Sequence, residues 1–272
     1  MMASESIRHA PAHDHHWMRQ NGTRWFCPHT RMPAAHEHVQ HTWSGYVMTT
    51  NPESERTLRT LSLLRSLRIE GQPFAAVQAE GSSEMDKVIS NLKTQRGIYG
   101  AIASSEGPAD EYVFVFEDDL ALSSAVPKKS VTSLLACGAL RSLRDRLPLL
   151  YAGTCAPRDV VTGSLIRQQS KAPTRVHARC AHAYAVRRGD AARLRQLADD
   201  HPDRGPSIVA NRTRLDKSWY MDVQLDFLGR ELGGFYLVAP QARNPEGMVG
   251  IFYQDRSTFP STIGGGHEVS GR

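Results

Sequence analysis

The pattern of apolar and polar positions changes character near residue 43. Residues 1–42 hold His9, His13, His15, His16, His29, His36, His38 and His41 but almost no aliphatic side chains. Such a segment cannot bury enough apolar surface to offset its ordering entropy, so it reads as a disordered, His-rich N-terminal tail. From Trp43 onward, short apolar runs alternate with stretches of helical period. Residues 46–49 read as a buried strand, followed by a turn at Asn51 and Pro52. Residues 55–69 read as an amphipathic helix, with Leu58, Leu61, Leu64 and Leu67 at helical spacing and Arg56, Arg59, Arg65 and Arg68 between them. Gly71 and Pro73 stop that helix, a second strand is expected at 74–79, and a second helix at 83–94.

The strongest strand signal is YVFVF, residues 112–116, which is β-branched and aromatic throughout. An unbroken apolar run of this kind predicts a strand buried on both faces, as in a parallel sheet covered by helices. Further on, a helix is predicted at 130–147, strands at 149–152 and 182–186, and a helix at 189–198. A polar, turn-rich stretch at 199–217 precedes a helix at 219–232 and a last strand at 235–238. Repeated β-α units imply an α/β fold with a mostly parallel sheet flanked by helices. The expected organisation is a tail over residues 1–42 and one folded domain over 43–272.

Composition adds modest constraints. Of 272 residues, 40% are hydrophobic and 22% charged, ordinary values for a domain that builds its own core. The net charge of +5 favours anionic partners in general, yet no long basic run or aromatic-basic interleaving points to nucleic acid. No apolar run is long enough for a transmembrane helix, and residues 1–40 lack the apolar core of a secretory signal. Cys27, Cys137, Cys155 and Cys180 show no C-x-x-C spacing and imply no disulfide framework. A reducing compartment, the cytoplasm, is the expectation.

Glu117, Asp118 and Asp119 follow YVFVF directly. In open α/β sheets, ligands bind beyond the carboxyl ends of strands. Three carboxylates packed there raise one another's pKa, and a divalent cation removes that cost. Carboxylate oxygens suit Mg²⁺ or Mn²⁺, which keep places for water and substrate phosphates. Alternation along extended backbone sends Glu117 and Asp119 one way and Asp118 the other. Asp119 is therefore the first candidate metal ligand and Glu117 the second, while Asp118 orients ligands or caps the next element. An acidic triplet that only caps a turn and faces water is the competing structural explanation.

Several segments together resemble glycosyltransferase family 25, which includes lipopolysaccharide glycosyltransferases and collagen galactosyltransferases. They are YVMTTNPESERTLRTL from Tyr46, GAIASS at 100–105, YVFVFEDD at 112–119, LLYAG at 149–153, HAYAVRRGDAARL at 182–194, MDVQL at 221–225, FYLVAPQ from Phe235, and YQDRSTFPSTI at 253–263. The order and spacing of these strings carry the resemblance, which covers roughly residues 45–263. The chain departs from the family where Ala101 replaces a cysteine and Ser105 a histidine.

The resemblance implies a GT-A-like, Rossmann-like fold and a nucleotide-sugar donor. It also implies a divalent metal, Mn²⁺ or Mg²⁺, and inverting transfer of a hexose to a hydroxyl of a glycan or protein acceptor. Under it, Asp119, Glu117 and Asp118 hold the metal, and Asp119 also serves the chemistry through that metal. Asp222, at the family's later acidic position, is the candidate base for the acceptor proton. Asn51, Arg56, Gln254 and Asp255 are candidates for binding the nucleotide sugar, Arg56 through bidentate contact with phosphate. His182 and His177 are further metal candidates. Three alternatives remain open: a catalytically inactive sugar-nucleotide or glycan-binding protein on the same scaffold, a zinc-binding tail built on Cys27, His29, His36 and His38, and a metal-dependent phosphohydrolase.

Overall fold

The computed structural model describes residues 42–154, 180–197, 225, 232–238 and 248–258, and the backbone alone of 17–20, 23–26, 155, 165–168, 179 and 198–199. Two strands fall within the segment expected to be a tail: β1 (Trp17–Gln20) and β2 (Thr23–Phe26), paired antiparallel as a sheet of their own. This ribbon departs from the expectation of an unstructured tail. Its sequence signal is the Asn21-Gly22 dipeptide between two aromatic-containing runs, a strong hairpin signature. The remainder of the expected tail lies outside the described residues.

The main body runs β3 (Trp43–Thr49), α1 (Glu55–Ser66), β4 (Ile69–Ala75), α2 (Glu84–Ser104), β5 (Tyr112–Glu117) and β6 (Leu120–Leu122). It continues through α3 (Val131–Arg144), β7 (Leu149–Cys155), β8 (Leu165–Gln168), β9 (Arg179–Arg187), α4 (Arg188–Asp199), β10 (Phe235–Val238), β11 (Val249–Gly250) and β12 (Phe252–Gln254). The central sheet has the order β4-β3-β5-β9-β7-β10-β8, with β11 added to β7. β4, β3, β5, β7 and β10 share one direction, while β9, β8 and β11 oppose it. The architecture is therefore α/β with a mostly parallel central sheet flanked, among the described residues, by helices α1 to α4.

β5 shows how the pattern produces the layers. Tyr112, Phe114 and Phe116 join the core under α1 and α3, and Val113 and Val115 join the one under α2 and α4. All five are buried, as the period of two along a strand requires. Phe116 stacks on Phe114 at 5.5 Å between ring centres and meets Phe252 edge-on at 5.8 Å. Such aromatic pairs add about 0.5–1.5 kcal/mol each beyond area burial, and the second ties β12 to the tip of β5.

Helix ends follow local chemistry. Ser54 caps α1, its Oγ accepting from Thr57 N at 3.2 Å. Ser83 and Asp86 form a reciprocal capping box at the start of α2. α1 stops at Ser66, earlier than expected, because Arg68 turns the chain at φ 59° and Ile69 begins β4. α2 continues ten residues beyond the expected end, buried against β5 and β9 through Ile98, Tyr99 and Ile102. The segment GAIASS is thus the last turn and cap of a helix. The helix expected at 219–232 lies outside the described residues except Leu225, which is helical and buried.

Cys137 and Cys180 are both disulfide-bonded, and no described cysteine is free. The expectation of no disulfide framework is corrected here. Spacing along the chain does not reveal which distant cysteines the fold brings together. No described helix is long and apolar enough to cross a membrane.

Candidate functional site

β5 ends at Glu117, and the chain turns at Asp118 and Asp119 before entering β6. β12 returns antiparallel to β6, with Gln254 opposite Leu120, and Asp255 N donates to Asp119 O at 2.8 Å. The first turn of α1 reaches the same place. Arg56 Nε lies 2.6 Å from Asp118 Oδ1, and Arg56 Nη2 lies 3.0 Å from Asp119 Oδ2. Gln254 Nε2 donates to Glu117 Oε2. Arg59, one turn along α1 from Arg56, pairs with Asp255 Oδ2 at 3.2 Å. Arg56, Glu117, Asp118, Asp119, Gln254 and Asp255, each named from the sequence alone, therefore converge at the carboxyl end of β5.

One expectation about this cluster is corrected. Strand alternation was expected to send Asp118 away from Asp119, yet one guanidinium grips both. The reason is that extended backbone ends at Glu117, so a period of two no longer applies at 118 and 119. Thr60 Oγ1 holds this turn by donating to Asp118 O at 2.8 Å. Arg56 offsets part of the repulsion among these carboxylates. Among the described residues, no group of three or more His, Cys, Asp or Glu side chains is arranged to hold a metal ion.

Asn51 stands in the loop between β3 and α1. Its carbonyl accepts from Thr49 Oγ1 and Thr57 Oγ1, and its Oδ1 accepts from Glu53 N. All these partners are local, and Asn51 bonds none of the acids. Asp222 and His177 lie outside the described residues. His182, on β9, is fully buried, with Nε2 3.2 Å from Phe252 O and no hydrogen-bond partner for Nδ1 among the described residues. A carbonyl only accepts, so Nε2 carries the proton. Burial pushes the His182 pKa down to about 4 and keeps the ring neutral. Its described role is to brace β12, the strand that carries Gln254.

The electrostatics separate the acids. Glu117 is half-buried, and burial followed by the Asp119 charge pushes its pKa up to about 8. Asp119 is 2% exposed, and its pKa is also raised by burial, against the pull of Arg56. Burial alone would raise Asp255 as well. Hydrogen bonds from Ser257 Oγ and Thr258 N and the Arg59 charge outweigh it, so Asp255 stays low. Asp119 Oδ1 is buried with no hydrogen-bond partner among the described residues. An orphaned buried acceptor carries its full desolvation cost, about 1–3 kcal/mol and more when charged, so the site gains from any cation or donor that reaches it.

Two residues that belong here escaped the reading of the sequence. Arg59 is three positions from Arg56, and that helical spacing is itself the signal of a shared face. Arg256 donates from Nη2 to Gln254 Oε1 at 2.8 Å, and its charge opposes the upward shifts of Glu117 and Asp119. It sits in the same YQDRS string as the two residues that were named.

GAIASS falls elsewhere. Ser105 caps α2 near the amino end of β5, where Arg188 Nη1 donates to Ser105 Oγ and Arg188 Nη2 to Glu111 Oε2 at 2.5 Å. From there to Glu117 the strand spans about 17 Å at ~3.3 Å per residue. The departure at Ser105 is thus remote from the acids. Scanned against models of protein families the chain matches none, and a search of curated proteins returns no match.

Proposed function

We propose that the chain is a glycosyltransferase of GT-A type. It would transfer a hexose from a nucleotide-sugar donor to a hydroxyl of a glycan or protein acceptor, with inversion and with a divalent cation, Mn²⁺ or Mg²⁺. The observation that carries this reading is the meeting of Glu117, Asp118 and Asp119 with Arg56, Gln254 and Asp255 at the carboxyl end of a parallel strand, the place where open α/β sheets bind ligands.

The donor set fits a hard cation only in part. Asp119 Oδ1 is a bare, buried carboxylate oxygen, and Glu117 is the nearby acid held neutral. Mg²⁺ and Mn²⁺ commonly take one or two carboxylates and complete their shell with water and substrate phosphates, so two acids suffice when a diphosphate supplies the rest. Asp119 and Glu117 would hold the ion. Its chemistry when bound is to neutralise charge developing on a leaving diphosphate. Arg56 and Arg59, at the start of α1, and Arg256 supply further positive charge for an anionic donor, and a helix amino terminus favours phosphate as well. Asp222 is retained as the proposed base for the acceptor hydroxyl.

The alternative is a sugar-nucleotide or glycan-binding protein without turnover. It draws on the occupation of Asp118 and Asp119 by Arg56 in place of a ready-made cation cage. The disulfide-bonded Cys137 and Cys180 favour an oxidising compartment over the expected cytoplasm.

Thermal unfolding with a set of nucleotide sugars, with and without Mn²⁺, tests the proposal. Stabilisation is expected only with ligand and metal together, and Asp119→Ala abolishes it. Unchanged metal-dependent stabilisation in that variant removes the site. Release of free nucleoside diphosphate on adding acceptor glycans separates the transferase from the binding protein.

A further inference from the structure

Arg56 occupies an unusual position for a cation. It is the second residue of α1, where the helix dipole favours negative charge, and its side chain is only 17% exposed. Its fork closes on two carboxylates, Asp118 at 2.6 Å and Asp119 at 3.0 Å. Asp119 nonetheless keeps its other oxygen buried and, among the described residues, without a hydrogen bond. The guanidinium thus covers one edge of Asp119 and leaves the second for something else. Neighbouring side chains restrict what else can neutralise the site. Arg59 is drawn to Asp255, and Arg256 donates to Gln254, the residue that bonds Glu117.

We propose that Arg56 is a built-in counter-cation that competes with a divalent ion for the acidic turn, so that the protein binds the ion well only together with a diphosphate that draws the guanidinium away. The proposal rests on the metal-dependent glycosyltransferase reading and adds to it an order of events at the site. While Arg56 stays on Asp118 and Asp119, a divalent ion meets a site whose negative charge is already offset. A diphosphate offers the same fork geometry that the two carboxylates offer, from the side that the amino terminus of α1 favours. With Arg56 drawn to the diphosphate, Asp119 would be free to hold the ion together with Glu117. No covalent bond forms or breaks in this exchange. Linkage requires the effect to be mutual: ion and diphosphate each tighten the binding of the other through Arg56.

The experiment measures Mn²⁺ bound to the full chain, from the loss of the free-ion electron paramagnetic resonance signal, in wild type, Arg56→Met, Arg56→Lys and Asp119→Asn. Each protein is titrated with Mn²⁺ alone and then with uridine diphosphate present. Wild type is expected to bind Mn²⁺ at least tenfold more weakly alone than Arg56→Met does. Uridine diphosphate should improve Mn²⁺ binding by wild type far more than by Arg56→Met. Arg56→Lys keeps the charge but loses the fork, so it should fall between them, and it serves if the methionine variant does not fold. Asp119→Asn should lose the tight binding in every condition. Equal affinity for Mn²⁺ alone in wild type and both Arg56 variants overturns the counter-cation role while leaving a metal-dependent site standing. Absence of Mn²⁺ binding in all proteins, with or without uridine diphosphate, removes the metal-dependent reading together with the gate.

Discussion

Both ends of β5 (Tyr112–Glu117) hold an arginine against carboxylate, and the two ends do opposite things with it. At the amino end, Arg188 reaches Glu111 Oε2 and Ser105 Oγ, while Glu111 Oε1 lies 3.4 Å from its second donor, Ser44 Oγ. Arg188 N also donates to Glu111 O at 2.8 Å. Gly107, at φ +142°, lets the loop pass, because a Cβ there would sit 2.7 Å from Glu111 Oε2 and 2.8 Å from Arg188 Nη2. Charge is balanced one to one, and each Glu111 oxygen has a donor within reach. At the carboxyl end, Glu117, Asp118, Asp119 and Asp255 face Arg56, Arg59 and Arg256, and the surplus acid, Glu117, is held protonated. There one carboxylate oxygen is orphaned and two acids have raised pKa values. Where both carboxylate oxygens meet donors the network locks a loop to a strand, whereas a buried oxygen left without one keeps a desolvation cost that a ligand can relieve.

Exchanging the losses between the two ends should break the comparison most sharply. Arg188→Ala leaves a partly buried Glu111 without its cation and should cost about 3 kcal/mol, near the low end for a broken buried pair. The response to nucleotide sugar and Mn²⁺ in thermal unfolding should survive. Asp119→Ala should behave in reverse, shifting the unfolding midpoint by only a few degrees while erasing the ligand response. A loss of ligand response in Arg188→Ala would mean that the two ends are not independent.

Gly153→Ala tests how β12 is seated beside the acidic turn. An added Cβ would lie 2.6 Å from both His182 Nε2 and Phe252 O. Overpacking of this kind typically costs about 1–3 kcal/mol, and the displacement should pass to Gln254 and weaken ligand binding as well. A variant as stable as wild type, with unchanged binding, would show that β12 has room to move.

The pH dependence should divide between two residues. Glu117 binds its proton more tightly folded, at about 8, than unfolded, at 4.5. Its stabilisation is complete below 4.5 and is lost as pH rises to about 8. His182 works the other way. Its pKa falls from 6.5 to about 4 on folding, so its stabilisation is present above 6.5 and is lost as pH drops towards 4. Thermal midpoints measured from pH 4 to 9 should flatten on the alkaline side in Glu117→Gln and on the acid side in His182→Gln. The smallest effect is expected for Ser105→Ala, about 1 kcal/mol for the loss of its two hydrogen bonds, to Ile102 O and from Arg188 Nη1, with ligand binding intact. Loss of binding there would return the GAIASS segment to the site.

Local pattern by itself determined a good deal of this protein. The apolar run at 112–116 and the alternation around it were enough for the α/β class and for the buried strand ending in acids, because burial on two faces leaves a direct mark on composition. The same string, with Arg56 and the Gln254-Asp255 pair, named most of the residues that meet at the strand tip. Only the tertiary structure decided how they meet. Alternation predicted opposite directions for Asp118 and Asp119, but it holds only while the backbone is extended, and the chain turns after Glu117. The length of α2 was misjudged because its second half is held by burial against β5 and β9, which no local period reveals. The remoteness of Ser105 and the seating of Arg56 against Asp118 and Asp119 share one physical reason. Each depends on which distant segments are brought within a few ångströms, and a linear pattern encodes faces and ends but not partners.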